Sequence, residues 1–170
     1  MNRIIVHEEL NDIIRTAEEK ISDFHKVRKR IDSYKRVISA LINKEIYQNC
    51  VDELHLVSQE LKSIFEVFLK FDKENKRYFD GSMRDYLNAY KSYLECATLA
   101  STKRLNIQRF ILHAKTIKTS KDEAKNIVAM MEEMEQLLNN CLNKAKNFNK
   151  IANVIKNNQK KPIDPYFIET

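Results

Sequence analysis

Residues 120–157 read SKDEAKNIVAMMEEMEQLLNNCLNKAKNFNKIANVIKN, without a glycine or a proline. Within them Ala124, Ile127, Met131, Met134, Leu138, Cys141, Ala145, Phe148, Ala152 and Ile155 recur alternately three and four residues apart. That rhythm matches the pitch of an α-helix and lays one apolar stripe along it. Ser120 followed by Glu123 has the spacing of a capping box, in which hydroxyl and carboxylate each satisfy a free backbone N–H. The stretch therefore predicts a helix over about 121–157, entered by a tight turn at Thr119-Ser120.

The same periodicity extends toward the N-terminus. Met83, Leu87, Tyr90, Leu94, Ala97, Leu105 and Ile111 predict a helix over about 83–118. Its small-residue centre, Cys96 to Thr102, allows a neighbouring helix close approach. Before it, Arg77-Tyr78-Phe79-Asp80-Gly81-Ser82 is the clearest break in the chain: the single glycine offers backbone freedom, and Ser82 with Asp85 resembles an N-cap. Leu54, Val57, Leu61, Ile64, Phe68 and Phe71 predict a helix over about 51–76. Leu10, Ile13, Ala17, Phe24, Val27, Ile31, Tyr34, Ile38 and Leu41 predict one over about 5–46, with Lys20 interrupting the stripe. The two stripes are out of phase, so a turn is placed at Tyr47-Gln48-Asn49-Cys50; one bent helix from about 5 to 76 is the competing reading. Pro162 and Pro165 make 161–170 an extended tail, apolar enough to pack back onto the rest.

These spans amount to an all-α fold: an antiparallel bundle of about four long amphipathic helices with coiled-coil-like packing, one domain over 1–160. The composition agrees, with 43% hydrophobic residues over 170 positions and only one Gly and two Pro. If the first helix reaches residue 46, it outruns the second, and its overhang needs another surface to cover it.

The net charge of +6 arises from 30 basic and 24 acidic residues, a modest excess that does not by itself specify nucleic acid. MNRIIVHEEL is too short and too acidic for a signal peptide, and no stretch approaches the roughly 18 apolar residues of a membrane span, so a cytoplasmic protein is expected. Cys50, Cys96 and Cys141 lie far apart and are odd in number, which suits reduced, buried thiols better than disulfides or a metal motif.

No phosphate-binding glycine loop fits a chain with one glycine, and no nucleophile or HExxH signature is present. Asp52 and His55 share a helical face, but a metal site in a bundle needs a second such motif. Neither a catalytic centre nor a cofactor is expected. The function read from the sequence is that of a non-catalytic adaptor or scaffold, binding a partner protein or a second copy through its helix grooves. Two sets of residues are candidates. Phe65, Phe68, Tyr78 and Phe79 are more aromatics than one narrow seam requires and form a candidate partner-binding patch. Arg28, Lys29, Lys35 and Arg36 repeat at seven residues along a flank of the first helix and form a candidate anion-binding stripe for nucleic acid or an anionic membrane surface.

Overall fold

The computed structural model describes residues 3–37, 44–114 and 121–159. Helix α1 spans Arg3–Val37, α2 Lys44–Asn75, α3 Gly81–Ala114 and α4 Lys121–Gln159, with a single 3-10 turn at Lys76–Tyr78. Among the described residues there is no strand, and the helices pack on one another as an all-α bundle. The turn at Thr119-Ser120, the capping box at Ser120 and the tail 161–170 lie outside the described residues.

Side-chain pairings show alternating helix directions. Lys20 meets Glu60 and Arg30 meets Glu53, so α1 and α2 run antiparallel. Ser58 bonds Thr102 at 3.2 Å while Arg84 bonds Asp72 at 2.7 Å, which sets α3 against α2 in the same way. Lys103 pairs with Glu133 and Lys144 with Ser92, which sets α4 antiparallel to α3. Helix α3 is the central element. It is covered by α2 on one side and α4 on the other, and accordingly buries two faces, including Cys96, Ala97, Ala100 and Ser101 from its small-residue centre. Short side chains there let the flanking backbones come close.

Two expectations from the sequence are corrected at helix ends. Tyr47 to Cys50 is not a turn: α2 already begins at Lys44, and Tyr47, Cys50, Val51 and Leu54 are all buried. The inward stripe of α2 runs on through those residues, so the phase jump falls before Lys44. The first helix cannot reach residue 46 as expected, because Lys44 already opens α2; over the described residues α1 has 35 residues and α2 has 32. In α1 the interruption at Lys20 is only apparent, because Ile21 takes the inward position and Lys20 turns outward to Glu60.

The second correction concerns the start of α3. Asp80, rather than Ser82, caps the helix: its Oδ1 accepts the Met83 N–H at 3.0 Å and the Ser82 hydroxyl at 3.0 Å. A carboxylate one residue ahead of the helix reaches the free N–H of the third helical position, which the Ser82 side chain, already inside the helix, does not. Gly81 has no positive φ, so its conformational freedom is not used. Arg84 fixes the corner by bonding Asp72 and the Lys76 carbonyl.

Aromatic rings from α2 and α4 converge on Tyr90 of α3. Phe68 lies edge-on to Tyr90, with ring centroids 5.5 Å apart. Phe148 from α4 is surrounded by Tyr86, Tyr90 and Tyr93 of α3, at 5.0, 4.9 and 6.3 Å between centroids. The Tyr90 hydroxyl donates to the Ile14 carbonyl at 3.3 Å, tying α3 to α1. Most of these rings are tilted or edge-on, while Tyr93 lies nearly parallel to Phe148 at a wide 6.3 Å; such pairs are worth about 1 kcal/mol each beyond burial.

Candidate functional site

Helix α4 is held differently from the other three. Its extensive packing is with α3, and of its apolar stripe Met134, Cys141 and Phe148 are buried, seven residues apart. One buried residue per two turns is a narrow contact; a helix in a globular core commonly hides three or four. Ile127, Ile151 and Ile155 are only half-buried.

Beside that line runs a second one. Val128, Met131, Glu135, Leu138, Leu142 and Ala145 also follow the three-four spacing, and all of them line cavities on the side of α4 that faces α1. Val128 and Leu142 remain 57% and 54% exposed, against 1% for Met134. The opposite wall is His25, Arg28 and Asp32 of α1, and Arg104 and Tyr93 of α3 also line the groove. The groove comprises two cavities of about 550 and 340 Å³ that share Arg28, Leu138 and Asn139. One wall is thus largely apolar and the other polar.

Two arginines give the groove its electrostatic character. Arg104 has a side chain only 3% exposed, paired through Nη2 with Asp32, which is 47% exposed. Its Nη1 lies 3.7 Å from the weakly accepting Met131 sulfur, and its Nε has no acceptor among the described residues. Arg28 also has a buried Nε without an acceptor. Burial, reinforced by the Arg28 charge, holds the His25 imidazole below its usual pKa. Burial also pushes the Tyr93 phenol up to about 12, with the charges of Glu18 and Cys141 adding to it.

Cys141 is held well above the ordinary thiol range, by burial first and then by the neighbouring Cys96. A nucleophilic cysteine requires the opposite shift, because the thiolate is the reactive form. Cys50, Cys96 and Cys141 are all free and buried. Among the described residues no group of three or more His, Cys, Asp or Glu is placed to hold a metal ion. Asp52 bonds Gln48 at 2.9 Å, while the half-buried His55 has an Nδ1 without a partner. No described helix is long and apolar enough to cross a membrane.

The aromatic candidates do not form an open patch. Phe68 is 0% exposed and unavailable to a partner, a correction that follows from its position under Tyr90. Phe65, Tyr78 and Phe79 are half-buried against the core. Phe79 packs on His7 and Phe71, and Tyr78 sits under the Arg77 guanidinium at 5.0 Å. Tyr78 and Phe79, which follow the end of α2, are therefore taken up by the corner between α2 and α3. Of the basic candidates, Arg28 turns into the groove and Lys29 outward to solvent, whereas the side chains of Lys35 and Arg36 lie outside the described residues. Arg28 thus leaves the outer flank on which the heptad spacing put it.

Of this second line, Met131, Leu138 and Ala145 read in the sequence as part of the apolar stripe, whereas Val128, Glu135 and Leu142 are not singled out by it, because a widened apolar edge looks the same in the letters until the position of α1 is known. No family model, curated protein or solved structure matches this chain.

Proposed function

We propose that the chain is a non-catalytic interaction module whose groove between α1 and α4 receives an amphipathic helix. The observation that carries this reading is the apolar line Val128, Met131, Leu138, Leu142 and Ala145 facing a groove that no element of the described chain fills. The line runs over eighteen residues, about 25 Å end to end at 1.5 Å per step, which is close to five turns of a docked helix. Helix-in-groove recognition uses apolar anchors at this spacing, flanked by polar groups that set orientation. Here α1 supplies the polar flank through His25, Arg28 and Asp32.

A photo-crosslinking amino acid placed at Leu138 or Leu142 tests the reading in cells expressing the full chain, with Leu56, 59% exposed on α2, as the control position. Discrete adducts of defined mass are expected from the groove positions, and none from Leu56. Equal labelling at both places, or no adduct from the groove, refutes the reading.

A further inference from the structure

Cys96 and Cys141 face each other across the contact between α3 and α4, and the register of the two helices puts them there independently of either sulfur. Lys103 pairs with Glu133, and Lys144 donates to the Ser92 hydroxyl. Eleven residues back along α3 therefore match eleven forward along α4, in one antiparallel register. Within it position 96 falls opposite position 140, beside Cys141. The Cys96 Sγ lies 3.9 Å from the Leu137 carbonyl, the oxygen that the helical hydrogen-bond pattern assigns to the Cys141 N–H. Side chains lean toward the N-terminus of their helix, so the Cys141 thiol points back over that same turn, where it hydrogen-bonds with Cys96. Both cysteines are buried, as are Ala97 and Ala100 beside them. Such short side chains favour the Cα separation of about 4.4–6.8 Å that a disulfide needs.

Cys50 is placed elsewhere. It shares a turn of α2 with Tyr47, whose hydroxyl donates to the Gln108 side chain. Gln108 is twelve residues beyond Cys96, about 18 Å along α3, so Cys50 is out of reach of either thiol.

We infer that Cys96 and Cys141 form a dithiol site, which a low-molecular-weight disulfide such as oxidised glutathione converts to an intrachain bond stapling α4 to α3. One cysteine thiolate attacks the small disulfide, forming a mixed disulfide and releasing one small thiol; the second cysteine thiolate attacks the protein sulfur of that intermediate, forming the Cys96–Cys141 bond and releasing the other. Two electrons pass to the small disulfide, and the two protons lost by the protein go to the leaving thiolates. Cys141 lines the cavity between α1 and α4, so it is the sulfur nearer to an incoming reagent. Burial and the adjacent Cys96 keep the Cys141 thiol protonated, so exchange is slow and follows local lifting of α4 from its narrow contact. The chemistry does not depend on what the groove binds.

Incubation of the native full chain for hours in glutathione buffers from reducing to oxidising, followed by acid quench, alkylation and peptide mass spectrometry, tests it. Of the three possible pairings Cys96–Cys141 is expected to exceed either pairing with Cys50 by about tenfold or more, whereas the same buffers with urea give all three. The oxidised chain melts about 5–10 °C higher than the reduced one, because the bond closes a loop of about 45 residues in the unfolded state, and dithiothreitol reverses the gain. Cys50→Ala keeps both the bond and the rise, and Cys96→Ala loses both. A native chain that stays reduced where the urea-unfolded chain oxidises, pairing through Cys50 in comparable amount, or a Cys96–Cys141 bond without a rise in Tm overturns the inference.

Discussion

The ion pair at the end of the groove gives an asymmetric prediction. Arg104 is almost wholly buried, whereas Asp32 is half-exposed, so the two partners are desolvated unequally. Asp32→Asn leaves a buried guanidinium facing a neutral amide, with its Nε already lacking an acceptor among the described residues. Breaking a fully buried pair costs about 3–5 kcal/mol, and a bond to a charged group contributes about 1.5–3 kcal/mol. Because Asp32 is screened by water on its open side, about 1–2 kcal/mol is expected. In a chain of 170 residues that corresponds to a fall in Tm of about 2–8 °C. Arg104→Met removes the under-satisfied cation and keeps a long flexible side chain next to Met131, so its stability stays within about 1 kcal/mol of wild type. The double variant should match Arg104→Met alone, since Asp32 then has no buried cation to serve. Urea unfolding followed at 222 nm measures all three. If Arg104→Met loses more than about 3 kcal/mol while Asp32→Asn is neutral, the desolvation argument is wrong.

The corner between α2 and α3 gives two further tests by the same unfolding assay. Gly81→Ala should stabilise by about 0.5–1 kcal/mol, because the position has ordinary φ and a Cβ there meets nothing within 4 Å. Asp80→Ala should cost about 1 kcal/mol through loss of the bond to the Met83 N–H. His25 bears on pH dependence. Its pKa in the fold lies below the ordinary 6.5, so the unfolded chain binds more protons just below that pH, and stability falls as pH drops through 6.5. His25→Gln should flatten that slope, which thermal melts across the range will show. Finally, Cys50, Cys96 and Cys141 should resist a thiol reagent in the native protein and react together in denaturant, since burial keeps Cys141 protonated and hides all three. Rapid labelling of Cys141 without unfolding contradicts its placement.

Most of the helical content was legible in the letters alone. Apolar residues at three-four spacing, with scarce Gly and Pro, leave a chain little alternative to amphipathic helices, and the spans predicted over 51–76, 83–118 and 121–157 each overlap one of α2, α3 and α4, though α2 begins at Lys44. The errors fell at ends. A helix boundary depends on a few hydrogen bonds, and the periodic signal is blind to which of Asp80 and Ser82 reaches the free N–H. Tyr47 and Cys50 read as a turn because no Gly or Pro marks the true boundary on either side.

The groove was not legible, for a physical reason. Periodicity says that a helix has an apolar edge, but not how many neighbours will cover it. On α4 the residues Met134 and Leu138 look alike in sequence, yet one is buried under α3 and the other lines an open channel. Likewise Arg28 and Lys29 are adjacent cations about 100° apart around α1, and the position of α4 puts the first in the groove while the second faces water. Local sequence determined which segments coil and which edges avoid water. The crossing of helices far apart in the chain decided which edge stayed uncovered, because burial is a property of what lies opposite.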